Sequence, residues 1–190
     1  MEFVRIFDDE NSLLAVKING QKDGQSWNEF RKIFDEWTDT EYLDDFFSSY
    51  ESDLKRPFWE GISIEQAIIE TRRKALKFRE QLKKLSTKTK AERISLFTRL
   101  FRPLNYNQSD FSYLNKKKVY GVRKKTWLRI YAVKVGDDMY IITGGAIKLT
   151  DNMEERPHTL AQLKKLDSCR QYLKELGVID EEGIIELLEL

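Results

Sequence analysis

Arg129 and Tyr131 are the residues of this chain whose types and spacing could do chemistry together. They stand two apart in Trp127–Val135, a run rich in Val, Ile, Tyr and Trp that suits a pleated strand, so a period of two puts both side chains on one face. Arginine grips a phosphate bidentately and can stabilise the charge on a pentavalent phosphorus, while tyrosine can stack on a base. From Phe111 to Gly136 the chain carries eight Lys or Arg (Lys116, Lys117, Lys118, Arg123, Lys124, Lys125, Arg129, Lys134) and no Asp or Glu, a field that asks for an anionic partner. Blander readings stand beside these. Tyr131 could be a half-buried strand residue, and Arg129 could pair with a carboxylate from the acidic first half.

Those residues need elements to position them. Val119–Val122, Trp127–Val135 and Met139–Thr143 read as strands, with Gly136-Asp137-Asp138 as the hairpin loop between the last two. A symmetric hairpin would set Tyr131 opposite Thr143 and Arg129 opposite Gly145. Upstream, Phe3–Phe7 and Leu13–Ile18 read as short strands. Ser26-Trp27-Asn28-Glu29 has the form of a capping box and opens a helix to about Trp37; a second helix begins near Asp39 or Thr40, with Leu43, Phe46 and Phe47 on its apolar face. Ser63 caps the longest helix, in which Ile64, Ile68, Thr71, Ala75, Phe78, Leu82 and Leu85 form one stripe and Arg72, Arg73, Lys74, Lys77, Lys83 and Lys84 the opposite face. Residues 86–90 are polar and mark a boundary. Ala91–Phe101 resumes helical spacing, 105–115 reads as a loop, and Thr159-Leu160-Ala161-Gln162 fits another capping box for a helix stopped by Gly177. Ile184–Leu188 adds a short last helix.

Composition bounds the function. At 190 residues and 41% hydrophobic the chain can build one generous domain or two small ones. Its net charge of +1 is a cancellation: residues 1–71 sum to −10, 72–134 to +17 and 135–190 to −6. Such a block is the footprint expected of a protein that binds nucleic acid or an acidic protein. Cys169 is the single cysteine, which excludes an internal disulfide and, set among leucines, reads as a core residue. With His158 the single histidine, a Cys/His metal site is excluded, and neither metal nor cofactor is expected. His158 reads as an exposed residue ahead of a helix cap, with a proton-shuttling role as the alternative. The start MEFVRIFDDE lacks the n- and h-regions of a signal peptide and no run of about 18 apolar residues occurs, so a cytoplasmic protein away from membranes is expected.

The order helix, loop, three antiparallel strands and closing helix resembles the RelE/HigB/ParE toxins of bacterial toxin–antitoxin pairs, closest to the phage-type HigB-like branch. The resemblance covers about residues 90–176. Leu100-Phe101-Arg102-Pro103-Leu104 is similar to the family's helix-to-strand approach, Tyr120-Gly121-Val122-Arg123 to its "Y-E-L-R" strand, Leu128-Arg129-Ile130-Tyr131 to its "Y-R-I-x-Y" strand, and Met139–Thr143 with Lys148 and Thr150 to its last strand. It implies metal-independent cleavage of messenger RNA on the ribosome, with Arg123, Arg129, Tyr131 and Lys148 as catalytic residues. Lys116, Lys117, Lys118, Lys124, Lys125 and Lys134 would then hold nucleic acid. A helix-turn-helix antitoxin would be the partner. The alternative is a non-catalytic nucleic-acid- or protein-binding protein of the same fold. Three departures bear on catalysis: one lysine in the final motif where the family has two, glycines at 144 and 145, and about 90 extra N-terminal residues.

The expected fold is therefore α+β, a mostly antiparallel RelE-like sheet flanked by helices, with an acidic, mainly helical N-terminal extension. The expected division is 1–88 and 89–190, unless the N-terminal strands join the same sheet. The acidic first part could also mask the basic segment, anchored by Trp27, Trp37, Phe46 and Phe47, if those aromatics are not simply its own core.

Overall fold

Gly136, with a left-handed φ of 64°, lets the chain reverse between β6 (Leu128–Val135) and β7 (Met139–Ile147). The structure, a computed structural model, describes residues 1–7, 12–22, 25–103, 114–120 and 126–189, with 20–22, 25, 26, 102, 103 and 114–120 described by their backbone. On one side of the hairpin, β5 (Leu114–Tyr120) and β4 (Phe101–Pro103) continue the sheet antiparallel. On the other side β7 pairs in parallel with β2 (Leu13–Lys22), which pairs antiparallel with β1 (Phe3–Arg5) and with β3 (Gln25–Asn28). The result is a mixed sheet of order β1-β2-β7-β6-β5-β4 in an α+β fold. Strands from residues 3–28 and from residues 101–147 thus share one sheet.

Both faces of β6 and β7 are covered, which is why these strands are apolar almost continuously rather than alternating with polar residues. Leu128, Ile130, Ala132, Tyr140 and Ile142 join a core built with the N-terminal helices, α1 (Glu29–Thr38), α2 (Thr40–Ser49) and α4 (Ile64–Ser86), and with Phe97 of α5 (Lys90–Leu100). Tyr131, Val133, Val135 and Ile141 join a second core with α6 (Pro157–Glu175) and α7 (Glu181–Glu189). A short α3 (Glu51–Leu54) and a 3-10 turn at Pro57–Trp59 link α2 to α4.

Local chemistry sets most helix boundaries as the sequence predicts. Asp39 caps α2 by accepting from the Glu41 and Tyr42 N–H groups, and Ser63 and Gln66 form the capping box of α4. The expected stripe is the buried one, from Ile68 through Thr71, Ala75, Phe78 and Leu82 to Leu85. Thr71 is more than a spacer: its hydroxyl accepts from the Trp127 indole N–H at 2.8 Å and donates to the Ala67 carbonyl. The polar stretch after Ser86 is a turn, since Thr89 and Glu92 form a second capping box that starts α5 at Lys90. Gly177, at φ 70°, follows α6 as predicted.

Two capping predictions fail. Ser26 lies in β3, and the N-cap of α1 is Asn28, whose side chain accepts from the Arg31 N–H, because pairing with β2 keeps the chain extended to that point. Thr159 lies inside α6, where Pro157 supplies the first turn; its hydroxyl donates to the carbonyls of Met153 and Arg156.

Within α4 the acidic first part meets the start of the basic block. There Glu70 pairs with Arg73 and Lys74. Trp37 and Phe47 are core residues on the sheet, and Phe46 packs against the same core. Those aromatics are interior because the sheet needs a cover on that face.

Candidate nucleic-acid interface

Strand β6 places Arg129 and Tyr131 on one face, as a period of two requires, but their surroundings differ. Arg129 is half-buried, and its Nη1 donates to the carbonyls of Thr126 at 2.5 Å and Leu128 at 2.9 Å. Tyr131 is 0% exposed, packed in the core beneath α6 with Val133, Leu166 and Leu173. A ring so placed cannot stack on a base without α6 moving.

The register explains part of this. Val135 through Ala132 pair as a symmetric hairpin demands, but at Thr143 a bulge inserts one residue, so that Tyr131 stands opposite Gly144 and Arg129 opposite Ala146. The expected partners Thr143 and Gly145 are therefore each displaced by one. The bulge leaves the two glycines facing opposite layers. A Cβ at Gly144 would lie 2.0 Å from Gln162 Oε1 of α6, and one at Gly145 would lie 3.0 Å from the Arg129 carbonyl oxygen and from Ile33 of α1. Glycine here is the condition for two helices to approach β7 from both sides.

Lys148 follows β7, its N–H donating to the Trp127 carbonyl, and its Nζ donates to the Thr150 carbonyl at 2.8 Å and to that of Asp151. His158, expected at the surface, is half-buried instead. Its Nε2 lies 2.9 Å from the Ile147 carbonyl and its ring packs at 5.1 Å from Phe46 and 4.8 Å from Tyr50. Burial pushes its pKa down, with the Ile147 contact acting the other way. Beside it Asp53, itself buried, accepts from both Arg156 Nε and Nη2 at 2.7 and 2.6 Å and ties α3 to the start of α6. Cys169 is fully buried and its thiol is pushed up to about 12 by burial, which keeps it protonated.

The predicted nucleic-acid-binding lysines divide. Lys116, Lys117 and Lys118 stand in β5 at register positions opposite Val133, Ala132 and Tyr131. Lys134 lies in β6 with its Nζ 3.3 Å from Asp137 Oδ1. Arg123, Lys124 and Lys125 lie outside the described residues.

Among the described residues, α4 carries a group of accessible cations. Arg72, Lys77, Arg79, Lys83 and Lys84 are all exposed along this helix. Arg73 and Lys74 are held by Glu70, and Lys74 also sits 4.7 Å over the Trp127 ring. Two apolar residues share the open side, Ile69 at 58% and Leu76 at 55% exposure. Arg79 escapes a reading that follows the opposite face of the buried stripe alone. Its signal is the second stripe 65, 69, 72, 76, 79, 83, 86, which runs one residue ahead of the buried one with the same alternation of four and three.

No helix of the described residues is long and apolar enough to cross a membrane, and among them no group of three His, Cys, Asp or Glu is placed to hold a metal ion. Comparison of the chain with protein-family models, with curated proteins and with solved structures gives no significant match.

Proposed function

We propose that this chain is a cytoplasmic nucleic-acid-binding protein that holds RNA through its basic helix and does not cut it. The observation that carries the reading is the group Arg72, Lys77, Arg79, Lys83 and Lys84, all exposed on one rigid helix whose buried stripe packs into the core. Cations spaced along a helix neutralise successive phosphates, and affinity arises from released counterions rather than from base contacts. The burial of Tyr131 and the engagement of Arg129 and Lys148 with main-chain carbonyls support binding over cleavage.

The second reading is the one implied by the RelE/HigB resemblance, a toxin that cleaves messenger RNA on the ribosome and is paired with a helix-turn-helix antitoxin. It draws support from the helix α5, the antiparallel strands β5, β6 and β7 and the helix α6 that follows them, the order on which that resemblance rests. A labelled single-stranded RNA titrated into the full chain at several salt concentrations separates the two. Binding that weakens steeply with salt, with the RNA recovered intact, supports the first. Cleavage products that disappear in Arg129→Ala would replace it with the second.

A further inference from the structure

A cleft of about 780 Å³ opens between α4 on one side and β1 with the start of α1 on the other, and neither Arg129 nor Lys148 lines it. Its volume is that of a small-ligand site. The floor is apolar. Val4, Ile6 and Phe7 line it, and Ile6 and Phe7 also pack against the core beneath α1 and α4, with the Phe7 ring 5.6 Å from that of Phe30. The α4 wall is a single stripe, Leu76, Arg79 and Lys83, each about one helical turn from the next. All three are exposed, Leu76 at 55%. Glu80 is the single carboxylate of the lining, and Arg5 and Arg31, which have interactions of their own, add to the positive field. Arg72, exposed as well, stands on the same stripe one turn before Leu76 and outside the cleft.

We propose that this cleft takes up one nucleobase of a single-stranded RNA whose phosphates run along α4. The inference rests on the nucleic-acid reading and adds to it, since the phosphate contacts of α4 are blind to the base and the cleft supplies a place beside them where a base is held. The lining sets the ligand chemistry. A bare phosphate would leave the apolar floor wet, and an apolar molecule would leave Arg79 and Lys83 without a counter-charge. A nucleotide joins an anion to a flat ring that can lie on apolar side chains. The order along the stripe agrees: Arg72, Leu76 and Arg79 run cation, apolar, cation, as a strand runs phosphate, base, phosphate. Arg72 and Arg79 lie about 10 Å apart along the axis, and their long side chains reach toward phosphates on either side of one nucleoside. A base already paired in a duplex costs energy to extract, so the cleft favours single strands.

The experiment titrates two fluorescein-labelled strands into the full chain, a mixed-sequence single-stranded RNA in which thiouridine replaces uridine and an abasic strand with the same number of phosphates. The bound RNA is then photocrosslinked and the attachment sites are mapped by mass spectrometry. The expected result is about tenfold tighter binding of the strand that carries bases, the effect of one base held on a side-chain platform. Crosslinks should fall within Val4–Phe7, across the cleft, as well as on α4. Leu76→Ala should shrink the preference for bases and leave the affinity of the abasic strand unchanged. Equal affinity for the two strands, a preference untouched by Leu76→Ala, or crosslinks confined to α4 would each overturn the inference while the phosphate reading stands. Loss of the Val4–Phe7 crosslinks to an equimolar mixture of nucleoside monophosphates, with the RNA still bound, would assign the cleft to free nucleotides and overturn it too. If neither strand binds, the nucleic-acid reading fails and the inference falls with it.

Discussion

Removing the Arg93 side chain should cost this fold more than any surface charge change. Arg93 of α5 donates from Nε and Nη2 to the carboxylate of Asp138 in the β6–β7 hairpin, with the closest contact 2.6 Å and side-chain exposures of 12% and 6%. The hairpin is gripped from its other face as well, since Glu181 of α7 accepts from the N–H groups of Asp137 and Asp138 at 2.9 and 2.8 Å and pairs with Lys90 at 3.0 Å. Burial opposes the ionised form of Glu181, but the Asp138 N–H and Lys90 outweigh it and its pKa is lowered. Arg93→Ala leaves the Asp138 carboxylate buried without its guanidinium, a change worth about 3–5 kcal/mol at a fully buried pair and about 3 kcal/mol here, where the pair keeps some exposure and Lys90 still acts on Asp138. Asp138→Asn should cost less, because the amide carbonyl still accepts from Arg93. The double change should cost less than the sum, with a coupling of about 1–3 kcal/mol. Urea unfolding of the four proteins, followed by circular dichroism, measures all three quantities. A loss below about 0.5 kcal/mol for Arg93→Ala, the range of ordinary surface substitutions, would refute the clamp.

Three further outcomes follow from the same structure. Tyr131→Ala should destabilise the chain by about 3–5 kcal/mol, as for a large buried aromatic, while Tyr131→Phe should leave RNA affinity unchanged; a change in affinity without loss of stability would place Tyr131 at a ligand. Gly145→Ala should cost about 1–3 kcal/mol, because its Cβ meets the main-chain oxygen of Arg129 as well as Ile33, and a neutral melting temperature would contradict the close approach. His158 has a pKa below its ordinary value of 6.5, so between the folded and unfolded values the unfolded chain binds the extra proton. Its contribution is therefore intact above pH 6.5 and is lost as the pH falls from there to the folded value. The urea midpoint of the parent should fall more steeply than that of His158→Gln between pH 7 and pH 5, and parallel profiles would refute this.

The sequence was most legible where one local rule decides the outcome. Asp39, Ser63 and Gly177 mark helix ends through caps or a left-handed turn, and the stripe from Ile68 to Leu85 announces its burial by spacing alone. It was less legible where tertiary partners override a motif. Ser26 and Glu29 satisfy the pattern of a capping box, yet β2 holds Ser26 in a strand. The bulge at Thr143 has a sequence hint in the glycines that follow, but its consequence depends on α1 and α6 arriving from opposite sides. Tyr131 illustrates the same limit for function: a strand residue beside an arginine reads as a candidate ligand contact until the helix that covers it is known. Arg129 and Tyr131 could be placed on one face from periodicity, whereas which layer that face meets could not. The α4 cations were visible as a face, and the cleft beside Arg79 depended on β1 and α1 meeting a helix far along the chain.

The most direct test of the central claim is the salt dependence of RNA affinity in the parent and in Lys77→Ala/Lys84→Ala, with the RNA run on a gel afterwards. Five phosphate contacts predict a slope of log affinity against log salt of about −3.5 for a single strand, and losing two should bring it to roughly −2. The account predicts that flattening and intact RNA in both proteins. An affinity insensitive to salt, an unchanged slope in the variant, or shortened RNA in the parent would contradict it.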